Sequence, residues 1–412
     1  MSKKIKSCTP PLRFPEFDQT KEWSTFTFKD ICSFFKGKGI SKNDISSNGK
    51  IPCIRYGELY THYKEVINHI ISFTNCNIDE LIFSKKNDIL IPSSGETKND
   101  IATSSCITLN NIAIGSDLHI LRTKQNGIFF SYYINHKIRK KISMIAQGDA
   151  IVHLYAEQLK NIEAYFPSLP EQQKIADCLS SLDELIEAHE QKLDTLKQHK
   201  KGLMQRLFPA EGETMPRWRF PEFRNAGEWV KANLGTLIAV AMCKRVFSEE
   251  TSPEGDIPFY KIGTLGQEAD AFISYALFQN YKNKYKYPRK GEILLTCSGT
   301  IGKMTRYSGE DAYYQDSNIV WLENDQNIII NDFLFFFLSK FNWSKLNVTT
   351  ITRIYGDDLR KILLIFPKNH NEQQKIADCL TALDERIEAQ EEKIAALKEH
   401  KKGLMQQLFP SL

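Results

Sequence analysis

Two stretches of the chain carry the same apolar pattern, with steps that alternate between four and three residues. The apolar positions are Ile175, Leu179, Leu182, Ile186, Leu193 and Leu196 in the first stretch and Ile376, Leu380, Leu383, Ile387, Ile394 and Leu397 in the second. His189 and Gln390 fill the polar position within each run, and the pattern continues across lysines 200 and 401. A 3.5-residue period over more than four heptads predicts two long coiled-coil helices.

The two helical segments are near copies of each other within one chain. Residues 171–209 and 372–410 are identical at 29 of 39 positions, whereas the residues before each segment match only at scattered points. One such match is Arg-Phe-Pro-Glu-Phe, which begins at Arg13 and again at Arg219. We interpret the chain as a constant scaffold with two variable modules: module one (12–168), a first helix (169–209), module two (216–368) and a second helix (369–410).

The linker between helix and module predicts how the two helices pair. About seven residues, 210–216, connect the first helix to module two, and they include Gly and Pro. A parallel pair would require the chain to return along a helix of roughly 50 Å. We therefore predict an antiparallel pair and a pseudo-two-fold symmetric chain. His189 and Gln390 are interpreted as seam positions that fix the register, rather than as ligands.

The modules combine apolar strands with aromatic helices, which predicts two similar mixed α and β domains in an α+β fold. Strands are expected at 89–91 and 292–295, with turns after them at Ser93-Ser94-Gly95 and Ser298-Gly299. Helices rich in aromatic residues are expected at 127–137 and 332–340.

Composition excludes several classes of protein. The 412 residues are 42% hydrophobic and 25% charged, which is typical of a folded protein of two to three domains. The basic N-terminus is not followed by an apolar region, and no stretch is long and apolar enough for a bilayer. The nine cysteines lack zinc spacing and are expected to be reduced thiols in a cytoplasmic protein.

Basic windows, above all 36–42 and 281–290, mark candidate DNA contacts. The second window interleaves basic residues with tyrosine, which suits phosphate contacts and aromatic packing on sugar or base. The candidates are Lys36, Lys38, Arg55, Lys85, Lys86, Lys261, Lys282, Lys284, Lys286, Arg289, Lys290 and Lys303. Three of them recur in both modules: Arg55 with Lys261, and Lys85-Lys86 with Arg289-Lys290. The recurring residues are expected to hold the backbone, while bases are discriminated by positions that differ. The alternative for any one residue is a solvated charged face.

The order of these motifs resembles the specificity (S) subunits of type I restriction–modification enzymes. The resemblance rests on the duplicated Arg-Phe-Pro-Glu-Phe, the Ile-Pro strands at 51 and 257, Glu-Gln-Gln-Lys-Ile-Ala at 171 and 372, and the shared Lys-Gly-Leu-Met-Gln-x-Leu-Phe-Pro ending. Module one departs from it, because Gly95-Glu96-Thr97-Lys98 replaces the Gly299-Thr300-Ile301-Gly302 of module two.

The resemblance implies a non-catalytic subunit in which each module reads one half of a split site in double-stranded DNA. The helices would set the unread spacer, and two methylase (M) subunits and motor-nuclease (R) subunits would be the partners. S-adenosylmethionine, ATP and Mg would belong to those partners and not to this chain. Two alternatives stay open: a stand-alone methylase or nuclease, which the absence of recognisable catalytic motifs disfavours, and a coiled-coil scaffold for proteins.

Overall fold

The computed structural model describes residues 9–148, 151–316, 318–346 and 353–410, and these divide into two compact units. Unit 1 comprises residues 1–190 and 392–412, and unit 2 comprises residues 191–391. Each unit thus contains one module, the first half of the helix that follows it, and the second half of the other helix. The sequence division kept each helix apart from its module, whereas packing joins them.

Module one places its helices and strands as follows. The strands are β1 (Ser24–Thr27), β2 (Cys32–Lys36), β3 (Ile51–Ile54), β4 (Val66–Ile67), β5 (Ser72–Thr74), β6 (Asp88–Pro92), β7 (Ser94–Gly95), β8 (Ser105–Ile107), β9 (Ala113–Ile114), β10 (Leu118–Thr123), β11 (Val152–His153) and β12 (Glu163–Phe166). The helices are α1 (Phe28–Ile31), α2 (Tyr56–Thr61), α3 (Lys98–Ile101), α4 (Gly127–Tyr133), α5 (Arg139–Ile145) and α6 (Ala156–Lys160). A sheet in the order β2-β10-β6-β8-β4 forms the centre.

The middle strand of this sheet is buried on both faces. Ile89 and Ile91 of β6 pack in one apolar cluster with Phe129 of α4, while Leu90 packs in another with Ile54 of β3. Successive side chains of a strand point to opposite faces, so a continuous apolar run suits a strand that is covered on both sides. The strand predicted at 89–91 is therefore confirmed.

Two other predictions for module one need correction. The helix expected at 127–137 ends its α-helical part at Tyr133 and continues as a π-helical turn (Ile134–Ile138) into α5. The turn expected at Ser93-Ser94-Gly95 is wrong, because Ser94–Gly95 is the strand β7 and pairs with β11. That partner lies almost sixty residues away, so local sequence gives no sign of it.

Module two repeats this plan with fewer strands in its sheet. Its strands are β13 (Val230–Asn233), β14 (Ala239–Ala241), β15 (Ile257–Tyr260), β16 (Phe272–Ile273), β17 (Ile293–Thr296), β18 (Met304–Arg306), β19 (Tyr313–Tyr314), β20 (Ile319–Glu323) and β21 (Leu363–Phe366). Its helices are α8 (Leu234–Leu237), α9 (Tyr275–Lys284), α10 (Asn331–Ser339) and α11 (Gly356–Arg360). The two long helices of the chain are numbered α7 and α12. The order of the main sheet is β14-β20-β17-β18.

The predictions for module two agree with the structure. Strand β17 and helix α10 lie where a strand at 292–295 and a helix at 332–340 are expected. Gly299 and Gly302 have φ values of +66° and +81° in the turn after β17. Such a backbone favours glycine, and a side chain at 302 would also collide with Trp343.

The two long helices are α7 (Leu169–Leu207) and α12 (His370–Leu408), each of 39 residues. In unit 1, Asp183 of α7 accepts a hydrogen bond from Lys401 of α12 at 2.7 Å, and Glu190 pairs with Lys398 at 2.6 Å. One partner number rises as the other falls, so the paired segments are antiparallel. Unit 2 shows the same arrangement in the pairs Lys197–Glu391 and Lys200–Asp384, which confirms the predicted direction.

The predicted seam residues differ in how deeply they are buried. Ile175, Leu179, Ile186, Leu196, Ile376, Leu380, Leu383, Gln390 and Ile394 are buried, and Leu182, His189, Leu193, Ile387 and Leu397 are partly exposed. The first two apolar residues of each helix also belong to the adjoining module core. The helices are therefore part of each domain and not only a coiled coil.

A buried carboxylate joins each module to its helix. Arg13 donates two hydrogen bonds to Glu171 at 2.9 and 2.6 Å, and Trp23 Nε1 donates a third at 3.2 Å. In unit 2, Arg219 and Trp229 make the same contacts with Glu372. This bidentate pairing gives a physical reason for the repeated Arg-Phe-Pro-Glu-Phe and Glu-Gln-Gln motifs.

Candidate nucleic-acid interface

The predicted DNA contacts of module one lie at two opposite ends of the sheet. Lys36 ends β2 and is paired in register with His119 at the start of β10, next to the residues that follow β6. Lys38 donates its backbone N–H to Ile114, and Gly115 donates to Ile54 beside Arg55. We call this surface, where β6 ends, the carboxyl edge of module one.

Lys85 and Lys86 lie at the other end of the sheet, just before β6. The backbone N–H of Lys86 donates to Asn110, and the adjacent Asn87 contacts Gln125, which reaches the start of α7 through Gln172. The structure therefore does not bring Lys85 and Lys86 together with Lys36 and Lys38.

Module two divides its candidates in the same way. Lys261 directly follows β15, and the backbone N–H of Ile262 donates to Gln315. Lys303 donates its backbone N–H to Thr296 at the end of β17. These two lie at the carboxyl edge of module two, where β17 ends. Arg289 and Lys290 precede β17 and lie at the opposite end.

The basic segment 282–290 is engaged mainly with its own module. Lys282 pairs with Asp311 at 2.9 Å and lies over the rings of Phe278 and Tyr287, and Lys286 pairs with Glu323 at 2.6 Å. Glu323 ends β20 next to the start of β17, which places Lys286 away from the carboxyl edge. Lys284 is exposed at the end of α9.

The recurring pair Arg55 and Lys261 lies at the carboxyl edge in both modules, and each has a carboxylate partner. Arg55 Nε donates to Glu58 at 3.2 Å, and Lys261 is 2.8 Å from Asp270. Both side chains are partly exposed, so each is oriented by its partner and still reaches the surface.

The carboxyl edges also contain polar residues that the sequence analysis did not select. In module one, the Ser94 hydroxyl lies 3.4 Å from both Asp117 Oδ1 and His153 Nδ1. In module two, the Ser298 hydroxyl donates to Asn318, and the backbone of Ser298 forms an antiparallel β-bridge with that of Arg353. Arg245 donates to Asp316 at 2.9 Å. The sequence contains a partial sign of these residues. Ile151 and Tyr155, which flank His153, recur as Ile351 and Tyr355, which flank Arg353.

The electrostatics of the edge keep one histidine neutral. Burial lowers the pKa of His119, and the nearby Lys36 ammonium lowers it further, although a hydrogen bond with the Leu154 carbonyl opposes this. The neutral ring is held 2.8 Å from that carbonyl. His119 therefore fixes the segment around Leu154 and adds no positive charge to the edge.

One cluster of serine, histidine and carboxylate lies at the carboxyl edge of module one. Ser94 contacts both Asp117 and His153, but a nucleophilic triad needs the carboxylate to orient the histidine, not the serine. Burial raises the pKa of the thiols of Cys53, Cys106, Cys243 and Cys297 to about 12, which disfavours thiolate nucleophiles. Within the described ranges, no three His, Cys, Asp or Glu side chains are grouped as metal ligands, and none of the helices there is long and apolar enough to cross a membrane.

Comparison with known proteins identifies the family of this chain. The type I restriction modification DNA specificity domain matches twice, at residues 20–198 and 226–399. The chain therefore belongs to the type I restriction–modification specificity family, as a specificity subunit with two DNA-recognition domains.

Individual relatives agree with this assignment. The chain is 47% identical over 147 residues to a putative type I specificity subunit of Haemophilus influenzae, a match that spans 38% of that protein. It is 24% identical to the MjaVIII specificity subunit of Methanocaldococcus jannaschii, over 97% of this chain and 93% of that one.

Solved structures show the same fold. The S subunit of M. genitalium superposes with a TM-score of 0.69 at 19% identity, over 98% of this chain and 100% of that chain. A chain from a structure on complex assembly and conformational transition of the type I R-M system gives a TM-score of 0.52 at 16% identity, over 94% and 97%.

Proposed function

We propose that this subunit reads a split DNA sequence, with one half-site read by each module and the gap between them set by the helices. The observation that carries this proposal is the duplication of the carboxyl edge with different side chains. The two modules share the positions of Arg55 and Lys261 but differ at the residues around them. Shared cations suit the uniform phosphate backbone, while differing side chains suit two different base sequences.

The helices support a spacing role by their length and their rigid attachment. A helix of 39 residues is about 58 Å long. The buried carboxylates Glu171 and Glu372 join each module to the first turn of its helix, so a module cannot turn freely about its attachment.

The chain is proposed to act without catalysis of its own and to direct methylase and motor-nuclease subunits. The helical segments 171–209 and 372–410, identical at 29 of 39 positions, would offer two similar docking surfaces for two methylase subunits. S-adenosylmethionine, ATP and Mg would be bound by those partners.

The test is co-expression of the chain with its methylase subunit, followed by mapping of methylated bases across a genome. We expect a split motif with a fixed gap, and no methylation from either protein alone. Exchange of residues 12–168 for the module of another family member should change one half of the motif. A continuous motif, or a module exchange that leaves both halves unchanged, would contradict the proposal.

A second arm tests the spacer. Insertion of one heptad into both helices, at the His189 and Gln390 positions, lengthens each helix by about 10 Å. With 3.4 Å per base pair, the gap should grow by about three base pairs while both half-sites stay the same. An unchanged gap in an active complex would show that the helices do not set the spacing.

A further inference from the structure

An exposed tyrosine lies at the same place in both carboxyl edges. Tyr155 is 54% exposed and Tyr355 is 59% exposed, immediately before α6 and α11. The backbone N–H of Tyr155 donates to Gln158 Oε1, and that of Tyr355 donates to Asp358 Oδ2, both at 3.1 Å. Any residue except proline could supply that N–H, so starting the helix does not require an aromatic ring.

The backbone places both tyrosines next to the end of the central strand. Leu154 donates its N–H to Ser93 after β6, and Ile354 donates to Cys297 after β17, at 3.0 and 2.8 Å. The neighbouring Leu154 and Ile354 side chains are buried in the module cores. Each tyrosine is thus held by a buried neighbour while its own ring faces outward, which core packing does not explain.

The residues around the two rings differ between the modules. The ring of His153 lies 6.5 Å from that of Tyr155, whereas the guanidinium of Arg353 lies 5.5 Å from the ring of Tyr355. His153 and Arg353 therefore take equivalent places, two residues before a shared tyrosine.

A second neighbour comes from the first strand of each main sheet. Lys36 ends β2, and strand register makes Met242, just after β14, its counterpart. Both side chains are exposed. In module two, Met242, Arg353 and Tyr355 line one cavity of about 210 Å³. In module one, the bond from His119 to Leu154 brings Lys36 toward the same segment.

We propose that Tyr155 and Tyr355 are DNA-contact residues common to both modules, and that the pairs His153/Lys36 and Arg353/Met242 determine which base each module reads beside them. This inference rests on the proposed function. A tyrosine hydroxyl donates to phosphate oxygen whatever the sequence. Arginine and lysine bind the O6 and N7 of guanine, while an apolar side chain such as Met242 suits the thymine methyl group. In each module, one shared tyrosine would contact the backbone, and two neighbouring residues that differ between the modules would select the base of that half-site.

The experiment uses the full chain, co-expressed with its methylase subunit, and maps methylation on a plasmid library with randomised bases. Arg353→His should change the preferred base at one position of one half-site, leaving the other half-site and the gap unchanged. His153→Arg should do the same in the other half-site. Each substitution should alter the preference at that position by about tenfold or more.

The tyrosines have a different expected readout. Tyr355→Ala should lower methylation at all target sequences by about tenfold without changing the motif, and Tyr355→Phe should reproduce part of that loss. Tyr275→Ala is the matched control, because Tyr275 is 52% exposed in the same module. Its backbone N–H donates to Asp256, which precedes β15, so Tyr275 lies near the end of that strand opposite the carboxyl edge. That control should keep full methylation.

The outcomes separate this inference from the proposed function. If the unmodified chain gives a split motif but the substitutions at 153 and 353 leave both half-sites unchanged, the reading role is wrong while the proposed function stands. If Tyr355→Ala and Tyr275→Ala behave alike, the contact role of the tyrosine is wrong. If the unmodified chain directs no sequence-specific methylation, both fail. Thermal unfolding of each variant identifies loss of fold. If an alanine variant is unfolded, methylation by Tyr155→Phe and Tyr355→Phe, which keep the ring, is compared with that of the unmodified chain instead.

Discussion

The two modules are most alike where they join their helices and least alike at their carboxyl edges. Glu171 and Glu372 each receive two hydrogen bonds from an arginine and one from a tryptophan, with distances that agree within a few tenths of an ångström. At the edges, His153 stands where module two has Arg353. The difference shows that the fold requires the same buried partners twice, whereas the edge tolerates, and in our proposal uses, different side chains.

The helix pairs differ more subtly between the two units. Lys401 lies between Asp183 and Glu65 in unit 1, and the hydroxyl of Tyr132 also donates to Asp183 at 2.5 Å. In unit 2, Lys200 pairs with Asp384 and lies over the ring of Phe336, which has no hydroxyl. Unit 1 therefore has a larger polar network at the equivalent place.

The largest expected effect tests the buried carboxylate that joins each module to its helix. Glu171→Ala and Glu372→Ala each leave a buried guanidinium without its carboxylate, and each should lower the free energy of unfolding by about 3–5 kcal/mol. Denaturant unfolding followed by circular dichroism measures the loss. Glu157→Ala, which removes an exposed ion pair with Lys160, should cost less than about 0.5 kcal/mol. Unequal losses at 171 and 372 would break the equivalence of the two carboxylates.

The second prediction concerns the difference at the helix pair. Tyr132→Phe removes a hydrogen bond to a charged group and should lower the free energy of unfolding by about 1.5–3 kcal/mol. Phe336→Tyr should instead stabilise unit 2, because it places a hydroxyl near Asp384. Calorimetry of both variants measures these shifts, and a Phe336→Tyr variant less stable than the unmodified chain would contradict the inferred equivalence.

The third prediction is a pH dependence that separates the units. Burial raises the pKa of Tyr287, Tyr313 and Tyr314 in module two. In module one, burial raises the pKa of Tyr132 and raises that of Tyr63 to about 12. A raised folded-state pKa contributes stability below the ordinary pKa of about 10, and this is lost as pH rises through the folded-state value.

Because module two has the larger tyrosine cluster, unit 2 should lose stability first above pH about 10. Hydrogen exchange resolved by segment measures this order, together with tyrosinate absorbance. A chain that loses unit 1 first, or whose tyrosines all titrate near pH 10 while it stays folded, would contradict the prediction.

The smallest effect tests which end of the sheet meets DNA. Replacement of Lys36 and Lys38 by alanine should weaken DNA binding by the complex with the methylase, and the loss of Lys38 as a phosphate contact should reduce the salt dependence of binding by about one unit. The matched pair Lys85→Ala and Lys86→Ala should leave both quantities unchanged. Equal losses from the two pairs would mean that both ends of the sheet approach the duplex.

Sequence alone determined the repeat, the two long helices, their antiparallel direction and the central strands of both modules. These features depend on local periodicity and chain length: a 3.5-residue apolar period predicts a paired helix, and a linker of about seven residues does not allow a parallel pair. The family also followed from motif order, because each motif occurs twice.

Tertiary structure alone decided which basic residues share a surface. Lys36 and Lys85 look equivalent along the chain, but the order β2-β10-β6 puts them at opposite ends of the sheet. Tertiary structure also pairs Ser94–Gly95 with Val152–His153, and this pairing brings Tyr155 to the carboxyl edge. Such contacts join residues far apart in sequence through a shared core, and no local pattern of polar and apolar residues specifies them.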